Sequence, residues 1–253
     1  MKSTEPKINV VIPMAGLGSR FSEKGYLEPK PLIKIFGEPM IKWVHRNIGL
    51  DANYIFIVQR QHDEQFNATS VIREFCPDAQ FVFLDKVTDG AARSLLMAKE
   101  LINNDTPLFI VNSDNMIEWN NIHTIQSLLD SGVDGGIITT YGEGPKWSYA
   151  SLDADGFVTK TAEKIEISNN ATTGHYYWAK GKFFVESAEK MIEKNIRYNN
   201  EFYIAPVYNE CIEKGRKIVT CPCEKFWSVG TPEDLDNFIH NCDVSKVKNS
   251  IVT

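Results

Sequence analysis

The 253-residue sequence has no Lys/Arg-rich run and no basic stripe interleaved with aromatics. A nucleic-acid polymer is thereby excluded as the expected partner, because neutralising a phosphate backbone takes clustered cations. A free nucleotide is not excluded. No uninterrupted apolar stretch approaches the roughly 20 residues that cross a bilayer, and the opening "MKSTEPK" lacks the apolar core of a signal peptide. The expectation is a cytoplasmic protein without a membrane segment. Cysteine is sparse: Cys76, Cys211, Cys221, Cys223 and Cys242 make an odd five with no CxxC spacing, which argues against a zinc ribbon or a disulfide framework and for reduced, structural thiols. Asn67-Ala-Thr and Asn170-Ala-Thr match the glycosylation pattern, which has no consequence without secretion. A Pro/Gly/Ser-rich linker, an internal repeat and a low-complexity segment are also missing, so one domain over 1–253 is expected.

What is present is ordinary for a globular chain, with 43% hydrophobic and 24% charged residues and 33 acids against 27 bases. Apolar, β-branched runs alternate with helical patterns. "INVVI" (8–12), "YIFIV" (54–58), "FVFL" (81–84), "PLFIVN" (107–112) and "GGIITTY" (135–141) read as strands, and the spacing predicts helices near 39–48, 62–75, 90–102 and 121–131. That rhythm predicts an α/β fold, a mostly parallel mixed sheet flanked by helices.

After about residue 145 the rhythm changes. "WSYASLDADGFVTK" predicts two strands around a turn at Asp155-Gly156, followed by a strand in "GHYYWAKG", helices near 182–195 and 203–214, a strand "KIVTC", and a final helix opening at Thr231-Pro232-Glu233-Asp234. The second half reads as an antiparallel extension of the first sheet. His175, inside the aromatic "GHYYWAKGKFF", reads as strand packing and not as an acid or base.

The segment "VIPMAGLGSRFS" (11–22) follows the first apolar run. A dinucleotide turn needs glycines at its first, third and sixth positions, and here Gly16 and Gly18 are followed by Phe21. A Walker A loop fails as well, since no Lys-Ser/Thr closes it. What remains is a glycine loop behind a buried strand, where backbone N–H groups can approach phosphate oxygens, with Arg20 and, in "EPKPLIKIFGEPMI", Lys30 bringing charge.

"GLGSRF" followed by "PKPLIKIFGEPMI" resembles the signature of the sugar-phosphate nucleotidyltransferases. The likeness continues in order through Gly90-Ala91-Ala92, Asn112-Ser113-Asp114, Ala162-Glu163-Lys164, Gly174-His-Tyr, Asn200-Glu201-Phe and "FWSVGTPEDL" (226–235), and so spans essentially the whole chain. It implies a Rossmann-like fold with a nucleotide-binding portion (1–145) and an acceptor-binding portion (146–253), and an enzyme that joins a nucleoside triphosphate to a phosphorylated acceptor with release of pyrophosphate.

The resemblance also implies roles. Arg20, Lys30 and Asp114 would be catalytic. Ala15, Gly16, Leu17, Gly18, Ser19, Gly90 and Ala91 would surround the nucleotide, with Gly90 beside the base. Lys164, Gly174 and Glu201 would meet the acceptor, Glu201 at its far polar groups. Magnesium would be held by Asp114. Many relatives carry an aspartate in the "W-x-D-x-G-T" segment, whereas Trp227 is followed here by Ser228, so the second ligand lies between Ser228 and Asp234. Asp234 also reads as part of a helix start capped by Thr231.

Within the family, "GLGSRFSEKGYLEPKPLI" and "NEFYIAPVYNECI" resemble the short nucleotidyltransferases of bacterial capsule clusters. That narrower likeness implies CTP as the nucleotide, L-glutamine phosphate as the acceptor and CDP-L-glutamine as the product. The residues alone do not separate this from a sugar-1-phosphate nucleotidyltransferase or a non-catalytic nucleotide-binding relative. They also leave the oligomeric state open.

Overall fold

The computed structural model describes residues 8–249, and the opening "MKSTEPK" lies outside them. The strand Asn9–Pro13 sits at the centre of a nine-stranded sheet. It pairs in parallel with Asn53–Gln59 on one side and Leu108–Val111 on the other, and Asn53–Gln59 pairs in parallel with Gln80–Leu84. Asn170–Trp178 then runs antiparallel beside Leu108–Val111 and reverses the direction of the sheet. It also carries Gly135–Tyr141 and Ser148–Leu152, both antiparallel to it. Val158–Glu163 pairs with Ser148–Leu152, and Ile218–Pro222 lies parallel to Gly135–Tyr141. The result is the expected mixed α/β sheet flanked by helices.

The strands are apolar on both faces because both faces are covered. Along the first strand, Val10 and Ile12 join Phe56, Val58, Phe109 and Val111 in one core, against the helices Met40–Ile48 and Pro232–Asn241 through Trp43, Val44, Leu235 and Phe238. Val11 turns the other way with Ile55, Ile57, Leu108 and Ile110, against Ala91–Leu96, Gly181–Glu193 and Val207–Glu213 through Leu95, Phe184 and Tyr208. Burying each such side chain contributes roughly 1.5–3 kcal/mol. Helices change faces between the strand pairs on either side of Asn9–Pro13. The carboxyl ends of Asn9–Pro13 and Leu108–Val111 therefore flank the crevice where open α/β sheets take ligands.

Several local expectations need correction. The helix expected over 62–75 is two, Arg60–Phe66 and Ala68–Arg73, broken at Asn67 with φ +52°. The one expected over 90–102 also divides, into Ala91–Leu96 and Lys99–Ile102, and the one near 203–214 begins only at Val207. The turn at Asp155-Gly156 is wider than a two-residue hairpin: the Asp153 carboxylate accepts from the N–H groups of Asp155 and Phe157, and positive φ is confined to Gly156. A short ribbon, Asn115–Glu118 against Lys225–Ser228, was not foreseen.

Two histidines sit deep in the fold. His45 is wedged against Tyr54 and Phe75, with ring centroids 4.5 and 5.2 Å away, and His175 lies fully buried near Phe109 and Trp119. Burial pushes both imidazoles down to about 4, and Arg46 adds to the effect at His45. The unfolded chain therefore takes up more protons than the folded one between pH 6.5 and about 4. The stability each neutral ring preserves is fully present above pH 6.5 and drains away as the pH falls, on the order of 3 kcal/mol apiece by pH 4. Urea unfolding at pH 7, 6, 5 and 4 should show this loss. His45→Phe should remove about half of it, and an unchanged slope in that variant would refute the assignment.

Candidate active site

The glycine loop leaves the Asn9–Pro13 strand with its backbone held in place. Met14 N–H donates to Ile57 O at 2.9 Å, and the Gln59 side chain donates to the Ala15 carbonyl at 2.8 Å. Gly18, at φ +62°, turns the chain into the short helix Ser19–Ser22. Phe21 is 1% exposed and meets Tyr26 edge-on at 5.2 Å, which pins the loop to the core. Gly16 stays exposed, with nothing within 4 Å of where a Cβ would stand.

Lys30 opens a 3-10 turn over Lys30–Leu32 whose Pro31 and Leu32 are buried, so the "PKPL" segment anchors the chain while its lysine reaches out. Lys30 Nζ lies 2.5 Å from Asp114 Oδ2, both side chains being about one-fifth exposed. Asp114 follows the Leu108–Val111 strand, and the unforeseen ribbon brings Ser228 opposite Asn115. Val229 N–H donates to the Asp114 carbonyl at 2.9 Å, and Ser228 Oγ donates to Asp234 Oδ2 at 3.0 Å. Asp234 N–H in turn donates to Thr231 Oγ1 at 3.1 Å, the helix cap read from the sequence.

Two clefts meet here. The smaller, about 270 Å³, is walled by Ala15, Gly16, Lys30, Thr88, Gly90 and Glu201. The larger, about 580 Å³, takes Arg20, Lys146, Glu163, Lys164, Gly174 and Asp234. Ala91, Asn112, Asp114 and Tyr203 line both and so form the shared wall. Cavities of this size accommodate small-molecule substrates. Arg20, Lys30, Lys146 and Lys164 gather here with the carboxylates of Asp114, Glu163, Glu201 and Asp234, so the clefts offer partners to anionic and cationic groups alike.

The residues singled out in the sequence thus divide between two compartments. Leu17 is 68% exposed and, with Gly18 and Ser19, lines neither cleft. Glu201 faces the glycine-loop cleft and not the larger one that holds Lys164 and Gly174. Gly90, at φ +125°, is glycine because a Cβ would stand 2.4 Å from the Phe202 backbone. At Gly174, with φ +79°, a Cβ would collide with the side chains of Asn112 and Asn115. Packing already accounts for both glycines, before any ligand is considered.

Glu163, the middle residue of Ala162-Glu163-Lys164, is a 7% exposed carboxylate at the end of Val158–Glu163 that faces the larger cleft, a place its sequence motif does not reveal. Ser148 Oγ donates to it, and burial nonetheless pushes its carboxyl above the usual range. Tyr203, Lys146 and Trp147 were likewise missed, because cleft-lining by loop residues leaves no periodic signal.

The residues around Gly230 fit a divalent cation. A Cβ placed there would stand 3.0 Å from Asp114 Oδ2 and 3.4 Å from Ser228 Oγ, so the absent side chain leaves a cradle between two oxygens, with Asp234 behind Ser228. Among the described residues no group of three or more His, Cys, Asp or Glu converges. A sparse donor set of this kind suits magnesium, which keeps several waters and shares phosphate oxygens.

A glycine loop and a strand-end carboxylate face each other across the crevice of an open α/β sheet, an arrangement suited to holding phosphate groups. Residues 9–242 match the Nucleotidyl transferase family, and the chain belongs to it. The bifunctional protein GlmU of Thermosipho melanesiensis is 23% identical over 209 residues, covering 79% of this chain and 43% of that protein. The chain thus spans under half the length of such curated relatives. Among solved structures, a nucleoside-diphosphate-sugar pyrophosphorylase from Vibrio cholerae RC9 is similar with a TM-score of 0.75 at 24% identity, over 92% of this chain and 100% of that one. The inositol-1-phosphate CTP transferase from T. maritima reaches 0.76 at 13% identity, over 98% and 99%. At these identities the structural likeness speaks for the fold.

Proposed function

We propose that this chain is a magnesium-dependent cytidylyltransferase that joins CTP to L-glutamine phosphate, giving CDP-L-glutamine and pyrophosphate, in the manner of the CTP:phosphoglutamine cytidylyltransferase of bacterial capsule phosphoramidate biosynthesis. The observation that carries nucleotidyl transfer is the shared wall: two clefts, each with its own cations, meet at Asp114. The triphosphate takes the glycine-loop cleft, with Ala15, Gly16, Gly90 and Ala91 around base and ribose. Arg20, which lines the larger cleft, would meet the β- and γ-phosphates where they extend past the shared wall, through its planar fork. Lys30 exchanges its contact with Asp114 for the α-phosphate, and Lys164 holds the acceptor phosphate. An acceptor oxygen forms the new bond to the α-phosphorus as the bond to the bridging oxygen breaks in line, and pyrophosphate leaves with that electron pair. Positioning and charge neutralisation are the protein's main contribution. Asp114, with Asp234 through Ser228, would hold magnesium, which supplies positive charge to the phosphate oxygens.

Glutamine phosphate as acceptor is supported by the narrower sequence resemblance and by Glu163. A buried carboxylate whose charged form is disfavoured gains from an incoming ammonium, and the amino-acid end of this acceptor offers one. The hydroxyls of Ser148, Thr172 and Tyr176 in the same cleft favour, as a second reading, a sugar 1-phosphate. A pyrophosphate-release screen of CTP, UTP, ATP and GTP against L-glutamine phosphate and hexose 1-phosphates decides between them. We expect CTP with L-glutamine phosphate to exceed every other pair by about tenfold or more, a margin of roughly 1.4 kcal/mol in the barrier. Dominance of a hexose phosphate would transfer the chain to the second reading. Silence with all pairs would make it a binding protein.

A further inference from the structure

Lys164 is held in an unusual way. It follows the end of the Val158–Glu163 strand with φ +54°, a conformation uncommon for residues other than glycine, asparagine and aspartate. Its N–H donates to Trp147 O at 2.8 Å, and its Nζ donates to the Tyr203 hydroxyl at 3.1 Å. The ammonium also lies 5.0 Å from the Tyr203 ring centroid and 5.5 Å from that of Tyr198, within cation–π range of both. The two rings meet edge to face at 6.4 Å and so brace one another.

The platform is itself fixed. Tyr198 and Glu201 exchange backbone hydrogen bonds of 3.0 and 2.9 Å around Asn199 and Asn200, both at positive φ, which makes a two-residue hairpin turn of the primed type. The next residue, Phe202, donates to Asp89 O at 2.8 Å and accepts from Ala92 N–H at 3.0 Å. The segment that carries Tyr203 is therefore stitched to the Gly90 loop of the other cleft.

We propose that Tyr203 is a positioning residue for nucleotidyl transfer: its hydroxyl and ring hold the Lys164 ammonium at the wall shared by the two clefts, where the acceptor phosphate must arrive. The consequence for catalysis rests on the reading of Lys164 as the acceptor's cation, whereas the holding of Lys164 does not. Tyr203→Phe keeps the ring and removes only the hydroxyl, which accepts from Lys164 and donates to the Glu201 carboxylate. Acetylation by an N-hydroxysuccinimide ester, followed by peptide mass spectrometry, should label Lys164 severalfold faster in the variant than in the unaltered protein. Lys146, whose ammonium lies over the Trp147 ring at 5.0 Å and not on Tyr203, should label at the same rate in both. With the substrate pair that turns over, the acceptor KM should rise about tenfold, as befits one hydrogen bond to a charged group, and the nucleotide KM should stay within about twofold. Unchanged labelling of Lys164, parallel acceleration at Lys146, or a nucleotide KM that rises as far as the acceptor's would each overturn the proposal. If the unaltered protein releases pyrophosphate with no acceptor, the functional reading fails, and the labelling alone decides the role of Tyr203.

Discussion

Asp114→Ala is expected to lower turnover by about two to three orders of magnitude, the usual cost of removing one preorganised electrostatic group from a reaction at phosphorus or carbonyl. The carboxylate stands on the wall common to both clefts, 2.5 Å from Lys30 and beside the Gly230 cradle. Its loss therefore removes charge at the proposed reacting centre and touches neither apolar core. Lys30 would be left without its partner but retains solvent contact, so the fold should lose little, about 0.5 kcal/mol as for other partly exposed positions. Pyrophosphate release measured beside a thermal melt separates the two effects. Near-normal turnover in a variant that melts normally would refute the role given to Asp114 and, with it, the cation site built around Gly230.

Gly90→Ala and Gly16→Ala should fail in opposite ways. At Gly90 a Cβ meets the Phe202 N and O at 2.4 Å with φ at +125°, so backbone must move. The expected loss of stability is on the order of 3 kcal/mol or more, because neither strain nor overlap can be relieved by a rotamer change. The shift displaces the turn that presents Glu201 and Tyr203, so activity should fall even below the melting transition. At Gly16 nothing stands within 4 Å and φ is not in the left-handed region. Gly16→Ala should melt like the unaltered protein, yet bind nucleotide at least about tenfold more weakly, since an added methyl intrudes on the close backbone approach proposed for base and ribose. Calorimetric titration with CTP and a melt of each variant test the pair. A stable Gly90→Ala, or a Gly16→Ala with undiminished nucleotide affinity, would contradict this division.

The sheet was readable because its strands are continuous apolar runs, a signal that buried parallel strands carry without help from neighbours. The helices were placed well where a single apolar stripe persists, as in Met40–Ile48, and poorly where one residue in the left-handed region, Asn67, cuts a stripe that otherwise runs on. The ribbon of Asn115–Glu118 and Lys225–Ser228 escaped notice since each strand has four residues and their pairing joins distant parts of the chain. At the site, Lys30 and Asp114 were placed through ordered motifs, and they are in contact in the structure. Gly90 and Gly174 were linked to ligand space, whereas their φ angles and neighbours bind them first to the protein. Glu163 and Tyr203 owe their places to cleft geometry alone, which spacing along a single chain does not express.

The strand Asn170–Trp178 bonds on one edge to Leu108–Val111, on which Asp114 depends, and further along that edge, at Ala171, to Ser148–Leu152, while its other edge bonds to Gly135–Tyr141. The two portions read from the sequence are consequently not exchangeable modules. A chimera that imported a foreign second half would have to match the register of this one strand or leave the Leu108–Val111 edge open to aggregation. Variation in what the larger cleft accepts is cheapest at Ser148, Glu163 and Thr172, whose side chains can change while the backbone ladder stays intact.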